Sequence, residues 1–599
     1  MYSAPDEKGE QSPRIVSFCF EFGTLTVLIY IKTVFILKGW DDVSFHGSDQ
    51  IMTPNIDVLA YQGAILQQYY SDTQGTAARS ALFTGKYPMR LGTQSDSILA
   101  SEDRGIPVSE RLLPKYLREL GYHTHLVGKW HVGKSREHYL PTYRGFDTFY
   151  GFLDGSVDYY TYNLVENCNG TSFFGLNFYE NLAPVEDQSG HLTEILTDRA
   201  VNLIRDHDKS KPLYLHVSHA APHTGGGLVS LQPPVNTLAE NSHIAHTARR
   251  MYAGLVASLD KSVGHIIAAL AEREMLKNTI IVFVSDNGAG ATENFGCNLP
   301  LRGEKSTPWE GAARSVALVW HASITPNRND QIFHVTDWLP TLLSAAGGGI
   351  PKNIDGIDQW GTIVKGEVSK RDSVLITIDD LNGWAAFREG DYKIVVGNVS
   401  KEKSKYPGKE LKAVRHGSFP YENVLLASEA CLVFKETLDL HLDIESIYEM
   451  RNNSKLVETV NHLPDEAVCF PTLAKGCLFK VSEDPTEAFD LWHAKMDIVR
   501  RMSLRLRGLW TEMNPRPLPK ADPRANPSIQ NYVWFSWVPN EEEIDEPRKP
   551  VPPFPLQVSR DELQYVVDIN LNSFKDKIHE YIKNMGESFV TSVGGLFNF

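Results

Sequence analysis

The run Thr279–Val284 is the feature that most limits the fold of this chain. Its six residues, TIIVFV, are all apolar or β-branched, which is typical of a strand buried on both faces. Such strands form parallel sheets covered by helices, so the run predicts an α/β fold. Ligands in these folds collect at the carboxyl ends of the strands. Asp286 and Asn287 follow almost directly, and we expect them at a ligand site.

Other segments alternate between strand and helix patterns, as an α/β fold requires. Residues 212–217 and 315–320 have the pattern of buried strands, whereas residues 192–206 and 244–276 have apolar positions at helical spacing. From about residue 370 the pattern changes to shorter, hairpin-like pieces. The change predicts a second, smaller domain in the C-terminal part.

Length and charge limit the class of function. A chain of 599 residues is too long for one hydrophobic core and indicates two or more domains. Its net charge of −15, without a long basic run, argues against nucleic-acid binding. An anionic substrate would need a local positive pocket.

The cysteines and glycosylation motifs bear on the cellular compartment. Six cysteines are too widely spaced for a zinc cluster or a disulfide mini-scaffold, although Cys469 and Cys477 are close enough in sequence to leave a disulfide open. Asn-x-Ser/Thr motifs begin at Asn169, Asn398 and Asn452. These motifs are compatible with the secretory route.

The segment 71–92, SDTQGTAARSALFTGKYPMRLG, resembles the signature of the sulfatase family with its centre missing. The positions that match the family pattern are Arg79, Leu82, Thr84, Gly85, Tyr87 and Pro88. The Cys, Pro and Ser of the pattern fall on Gly75, Ala77 and Ala78. In the family that Cys is oxidised to formylglycine, whose hydrate attacks the sulfate ester. Because glycine has no side chain, formylglycine is expected in the family but absent here.

Further motifs resemble the sulfate-binding residues of the same family. Lys129 and His131 lie in GKWH, and Lys305 lies in LRGEKSTPWEG. Spacing from the strand that begins near residue 212 places the family's active-site histidine at His223, with His219 as the rival. By resemblance, Arg79, Lys129, His131, His223 and Lys305 surround a sulfate.

The expected metal site is incomplete. Asp286 and Asn287 match the family's calcium-binding Asp-Asn pair, and oxygen ligands of this kind suit Ca²⁺. The family's other two carboxylates fall on Ile36 and Leu37. Asp41 and Asp42 are nearby substitutes, but they follow the Gly-Trp turn and should point elsewhere. The resemblance therefore implies one Ca²⁺ that is weakly bound or lost.

The resemblance runs from Gly39 to about residue 538 and is closest to the arylsulfatase B, I and J group. It implies an alkaline-phosphatase-like α/β sandwich with a mostly parallel central sheet, plus a smaller C-terminal α+β domain. We expect an atypical apolar segment at 1–38, the sulfatase domain at 39–370 and the smaller domain at 371–540. Residues 541–599 are predicted to form a Pro-rich linker and an amphipathic tail.

The N-terminal apolar run, residues 15–37, has almost the length of a membrane span but carries Glu21 and Lys32. No small-residue cleavage site stands out, so it is a poor signal peptide. Three interpretations compete: an uncleaved anchor that associates with a membrane, a pair of buried strands, or a wrongly assigned first exon. The abrupt start of the resemblance at Gly39 favours the third.

Two functional hypotheses follow. The first is a sulfuric ester hydrolase for sulfated glycans or aryl sulfate esters, lysosomal or extracellular. Its activity is impaired because the formylglycine cysteine is Gly75 and the metal-binding Asp pair is Ile36 and Leu37. The second is a pseudo-sulfatase that binds a sulfated glycan or a protein partner without turnover. Thr76 is the hydroxyl nearest the lost nucleophile, but one residue along a helix rotates the side chain by about 100°. It should not replace the missing cysteine.

Overall fold

The computed structural model describes residues 27–30, 39–168, 170–413, 421–456, 463–464, 468–541 and 550–556. Ile36, Leu37, Asn169 and most of the N-terminal apolar run lie outside the described residues, as does the amphipathic tail. The predictions made for these residues from the sequence are not tested by the structure and stay predictions.

Sixteen strands are present in the described part of the chain. They are β1 (Val27–Tyr30), β2 (Ala64–Tyr70), β3 (His123–Lys129), β4 (Thr148–Phe152), β5 (Asn163–Cys168), β6 (Thr171–Leu176), β7 (Tyr179–Glu180), β8 (Ala183–Pro184), β9 (Leu213–Ser218), β10 (Thr279–Val284), β11 (Ala317–Trp320), β12 (Asn327–His334), β13 (Ser373–Asp379), β14 (Trp384–Glu389), β15 (Tyr392–Gly397) and β16 (Cys477–Lys480).

The same residues form fifteen α-helices. They are α1 (Pro54–Tyr61), α2 (Gly75–Thr84), α3 (Pro88–Leu91), α4 (Leu113–Glu119), α5 (Leu192–Arg205), α6 (Val235–Glu240), α7 (Thr247–Glu272), α8 (Ala291–Asn294), α9 (Glu310–Ala313), α10 (Trp338–Ala345), α11 (Trp360–Lys365), α12 (Tyr421–Leu426), α13 (Glu429–Leu438), α14 (Ile444–Ser454) and α15 (Met496–Thr511).

The central sheet has ten strands in the order β12-β2-β11-β10-β1-β9-β3-β4-β7-β8. Only β11 and β7 run against the common direction, so eight of the ten described strands point the same way. The prediction of a mostly parallel central sheet is confirmed.

Strand β10 shows why the sequence run was informative. Every residue of this strand is buried, and its side chains alternate between two cores. Ile281 and Phe283 pack with α1, α5 and α7, whereas Ile280, Val282 and Val284 pack with α2, α4 and α10. Helices therefore cover both faces of the sheet, as predicted.

Strand β1 lies at the centre of this sheet, parallel to both β9 and β10. It comes from the middle of the N-terminal apolar run, so its four residues favour the buried-strand interpretation over a membrane anchor. Among described helices, α7 alone has the length and apolarity to cross a bilayer, and most of that helix is buried inside the protein.

The smaller domain is built on the antiparallel sheet β13-β14-β15-β16, and its C-terminal position agrees with the prediction. The predicted hairpin around Gly390 is present between β14 and β15. Helix α15 packs on this sheet, and a disulfide joins Cys469 to Cys477 at its edge.

Helices α12, α13 and α14 were not predicted from the sequence. They follow the hairpin of the smaller domain in the chain, yet they pack on the larger one: α12 on α1, α13 on α1 and α7, and α14 on β12. The rings of Phe434 on α13 and Trp320 on β11 are 4.8 Å apart. This segment therefore covers one face of the central sheet.

Candidate functional site

The N-terminus of α2 faces the carboxyl end of β10. Gly75 is the first residue of α2 and is buried. A Cβ placed on it would lie 3.0 Å from Oδ2 of Asp286 and 3.8 Å from Oδ1 of Asn287. Two motifs about 200 residues apart in sequence thus meet at one point, as expected for strands whose carboxyl ends share an edge.

The oxygen atoms of this point lack hydrogen-bond donors. Both carboxylate oxygens of Asp286 and Oδ1 of Asn287 are buried and accept no hydrogen bond from the described residues. The nearest cation is Arg79, whose Nε lies 3.7 Å from Asp286 Oδ2, with both side chains fully buried. Buried polar atoms usually have partners, so these oxygens mark a place adapted to a cation.

Arg79 and Lys129 bring fixed positive charge to the same cleft. Arg79, one turn along α2, donates from Nη1 to the carbonyl oxygen of Lys129 at 3.1 Å and to Ser218 Oγ at 3.0 Å. Lys129 ends β3, is buried, and donates from Nζ to the carbonyl oxygen of Gly155 at 2.5 Å. Ser218 ends β9 beside β3. Sequence reasoning missed Ser218, although its place at a strand's carboxyl end was a usable signal.

His131 follows β3 and lies against the second residue of α2. Its Nε2 is 3.2 Å from the carbonyl oxygen of Ile98 and 3.4 Å from Thr76 Oγ1. Since a carbonyl can only accept, Nε2 carries the proton. Burial, with the nearby charges of Lys129 and Arg79, holds the pKa of His131 well below its usual value. The imidazole is therefore neutral near neutral pH.

His223 lies in the loop after β9 and also stays neutral. Its Nδ1 is 2.6 Å from the carbonyl oxygen of Thr224, so Nδ1 donates and Nε2 is an acceptor. Desolvation lowers its pKa well below the usual value, and the positive charges of Lys129 and Lys305 lower it further. The positive charge of the cleft therefore comes from lysine and arginine, not from histidine.

The rival His219 lies in the core. It is fully buried, and its Nε2 is 2.8 Å from Ser262 Oγ on α7. Burial lowers its pKa to about 3. The charges that act on His219 do not include Lys129 or Lys305, which act on His223.

Lys305 is held at the cleft by its neighbours in the loop after Arg302. Its backbone N–H donates to the carbonyl oxygen of Ala289 at 3.0 Å, just beyond Asp286 and Asn287. The next residue, Ser306, donates its N–H to Thr73 O at 3.1 Å and accepts from Gln74 Nε2 at 2.6 Å. The loop is thereby tied to both the β10 end and the α2 start.

Thr76 has its hydroxyl engaged by His131 and Ile98. Its Oγ1 donates to the carbonyl oxygen of His131 at 3.2 Å and accepts from the N–H of Ile98 at 3.2 Å. The structure therefore agrees with the expectation that Thr76 does not occupy the place of the lost cysteine.

Asp41 and Asp42 are committed to ion pairs elsewhere. Asp42 is fully buried, accepts from Arg249 Nη1 at 2.6 Å and from the Tyr252 hydroxyl at 2.6 Å. Asp41 pairs with Lys412. Neither carboxylate faces Asp286, so neither replaces the carboxylates expected at positions 36 and 37.

The residues present do not fit a tightly held Ca²⁺. Asp286 and Asn287 offer three oxygen atoms, whereas Ca²⁺ takes about six to eight. The described residues contain no group of three or more His, Cys, Asp or Glu side chains able to hold a metal. Ile36 and Leu37 have no ligand atom, and Gly75 cannot become formylglycine.

Comparisons with known proteins agree with the fold and the motifs. Residues 35–348 match the family model named Sulfatase. Arylsulfatase J of Mus musculus is 33% identical over 526 residues, which cover 86% of this chain and 82% of that protein. N-acetylgalactosamine-6-sulfatase of Mus musculus is 31% identical over 353 residues, covering 56% of this chain and 65% of the relative.

A solved structure shares the architecture. The crystal structure of Ps i-CgsB superposes with a TM-score of 0.63 at 24% identity, covering 84% of this chain and 97% of that one. Its complex with k-i-k-neocarrahexaose gives a TM-score of 0.61 at the same identity. At this level of identity the similarity shows a common fold.

Proposed function

The chain belongs to the sulfatase family, and from that premise we propose that its cleft binds the sulfate ester of a glycan while hydrolysis through formylglycine is lost. The observation that carries the proposal is the bare backbone at Gly75. An added Cβ there would face Asp286, yet no atom exists from which the family's nucleophile can be made.

The cleft keeps what sulfate recognition needs. Arg79, Lys129 and Lys305 supply positive charge, and His131 and His223 are neutral groups that can share hydrogen bonds with sulfate oxygens. Hydrogen bonds to charged groups are the stronger class, worth roughly 1.5–3 kcal/mol each. Binding can therefore persist after the nucleophile is lost.

The substrate class rests on the relatives. Their names point to aryl sulfates and to sulfated N-acetylgalactosamine, and a similar fold has been solved with a carrageenan oligosaccharide. We place the protein in the secretory route, lysosomal or extracellular, as for a protein that meets sulfated glycans. The motif residues Asn398 and Asn452 are exposed, as glycosylation requires.

The test measures binding and turnover in the same preparation. We expect calorimetry to detect binding of N-acetylgalactosamine 4-sulfate, with no release of sulfate from it or from 4-nitrophenyl sulfate. Lys305→Gln should weaken binding by roughly 10-fold to 100-fold, because one charged hydrogen bond is removed. Lys277→Gln is the matched control, since Lys277 is exposed at the opposite end of β10.

Turnover by the unaltered protein would contradict the proposal if Thr76→Ala abolished it while the thermal unfolding curve stayed the same. That result would identify a hydroxyl nucleophile. Failure of N-acetylgalactosamine 4-sulfate and 4-nitrophenyl sulfate to bind would equally contradict it.

A further inference from the structure

A lysine-rich loop lies beside the sulfate cleft. Residues 401–412, KEKSKYPGKELK, carry five lysines and two glutamates in a chain whose net charge is −15. Lys403, Lys405 and Lys409 line a cavity of about 340 Å³ together with Thr292, Glu304 and Tyr406. Glu304, which lines the cavity, immediately precedes Lys305 of the cleft in the chain.

The loop is fixed through its backbone to the segment that carries Lys305. Arg302 Nε donates to the carbonyl oxygen of Ser404 at 2.7 Å, and the N–H of Gly303 donates to Lys405 O at 3.0 Å. Trp309 Nε1 donates to Lys403 O at 2.7 Å. The backbone of 403–405 therefore cannot move independently of the cleft.

These bonds also direct the lysine side chains. Ser404 is fully buried and its hydroxyl donates to Ser400 O at 2.9 Å, whereas its two neighbours Lys403 and Lys405 are exposed or half-exposed and line the cavity. Tyr406 is buried and donates its hydroxyl to Thr486 O at 2.7 Å. The buried, hydrogen-bonded residues Ser404 and Tyr406 therefore alternate with Lys403 and Lys405, which line the cavity.

The carboxylates of the cavity are already engaged. Glu304 accepts from the N–H of Thr292 at 3.0 Å and from its hydroxyl at 2.9 Å. Glu402 pairs with Lys405 at 2.6 Å, but the Glu402 side chain is 78% exposed, so this pair contributes little and can be exchanged. With three lysines against two carboxylates, the cavity keeps a net positive charge.

We propose that Lys403, Lys405 and Lys409 form a second anion subsite, which takes the sulfate or carboxylate of the sugar next to the one whose sulfate occupies the cleft. This inference rests on the proposed function and deepens it: the preferred ligand is an oligosaccharide with at least two anionic groups. Because the loop of Lys305 and residues 401–412 are bonded to each other, the two bound anions are held at a fixed separation. A fixed separation favours an oligosaccharide with regularly spaced anions over a single sulfate ester.

Calorimetry with three ligands tests the subsite. The first is N-acetylgalactosamine 4-sulfate, which has one anion. The second joins this sugar to a neutral sugar that carries a second sulfate, and the third joins it to a uronic acid. We expect the unaltered protein to bind the second or the third at least about fivefold more tightly than the first, as for a few solvent-exposed ion pairs. The preferred disaccharide identifies sulfate or carboxylate as the second anion.

The triple variant Lys403→Gln, Lys405→Gln, Lys409→Gln should lose this preference and keep its affinity for the monosulfated sugar. The matched control is Lys209→Gln, Lys211→Gln, Lys277→Gln, which removes the same charge from exposed lysines at the opposite ends of β9 and β10. The control should keep the preference.

Several outcomes of the comparison between ligands and variants overturn the subsite. They are equal affinity for all three ligands, a preference that survives the triple substitution, and an equal loss in the control, which would show a general charge effect. If none of the ligands binds the unaltered protein, the proposed function fails and the subsite fails with it. Binding of the monosulfated sugar alone would overturn the subsite and leave the proposed function standing.

Discussion

At position 75 the structure shows that the place of the lost nucleophile lies beside an incomplete set of metal ligands. The side-chain oxygens of Asp286 and Asn287 lie close to Gly75, the position of the family's nucleophile. They accept no hydrogen bond from the described residues. Arg79 is the nearest cation to Asp286. A buried carboxylate that relies on an arginine 3.7 Å away is incompletely compensated, so the site keeps an attraction for cations but few ligands to hold one.

We therefore expect weak or undetectable Ca²⁺ binding. Two side chains supply too few oxygens for the ion, and Asp41 and Asp42 are held by Lys412 and Arg249. Titration calorimetry of the metal-free protein with CaCl₂ is the measurement, and Asp286→Ala is the control that should give the same weak signal. Tight binding that disappears in Asp286→Ala would show that the chain supplies further ligands.

At the scale of elements, sulfate ester hydrolysis in this family requires two groups. They are the nucleophile at the start of α2 and the metal-binding carboxylates at the end of the first strand. The structure describes β1 in the central sheet, between β9 and β10, and this strand ends at Tyr30, whereas Ile36 and Leu37 lie outside the described residues. Restoring the nucleophile alone leaves the metal carboxylates missing, and restoring the carboxylates alone leaves the nucleophile missing. Because the metal and the nucleophile act on the same step, their losses should be strongly non-additive.

The repair experiment follows from that non-additivity. Gly75→Cys with Ala77→Pro and Ala78→Ser, made in cells that oxidise the cysteine, should leave hydrolysis of 4-nitrophenyl sulfate near background. Adding Ile36→Asp and Leu37→Asp should raise it well above both partial repairs. Each half-repair serves as the control for the other. Full activity from the α2 repair alone would show that the metal carboxylates are dispensable.

The elements also show what the sequence could and could not reveal. The continuous apolar and β-branched run of β10 predicted a strand covered on both faces, because both of its faces carry side chains that favour burial. The residues of α12–α14 gave no comparable signal, since their burial depends on distant parts of the chain: α1 and α7 for α12 and α13, and β12 for α14. The cleft residues were found from motifs, whereas Ser218 became evident only when β3 and β9 were seen side by side.

At the scale of the whole molecule, a buried ion cluster joins the smaller sheet to helix α9. Lys393 on β15 lies 3.0 Å from Glu310 on α9 and 2.8 Å from Glu487, with all three side chains fully buried. Burial raises the pKa of Glu487 to about 7, although Lys393 opposes that shift. The contribution of Glu487 to stability is therefore complete below its ordinary pKa of 4.5 and is lost as pH rises through about 7.

Lys393→Met should consequently be costly, and more so at high pH. It leaves two buried carboxylates facing each other, which should lower the free energy of unfolding by roughly 3–5 kcal/mol at pH 8. The loss should shrink at pH 5, where Glu487 is protonated. Urea unfolding at both pH values measures this, with the partly exposed Lys480→Met on β16 as control. An equal loss at both pH values would contradict the assigned role of Glu487.

The glycine that begins α2 also has a consequence for how the protein is made. A sulfatase that uses formylglycine is inactive as first synthesised, because another enzyme must oxidise its cysteine. This chain has no such step at residue 75, so the residue needs no oxidation before the cleft can bind a ligand. We therefore expect a cell that lacks the oxidising enzyme to make this protein with the same sulfate binding as a cell that has the enzyme.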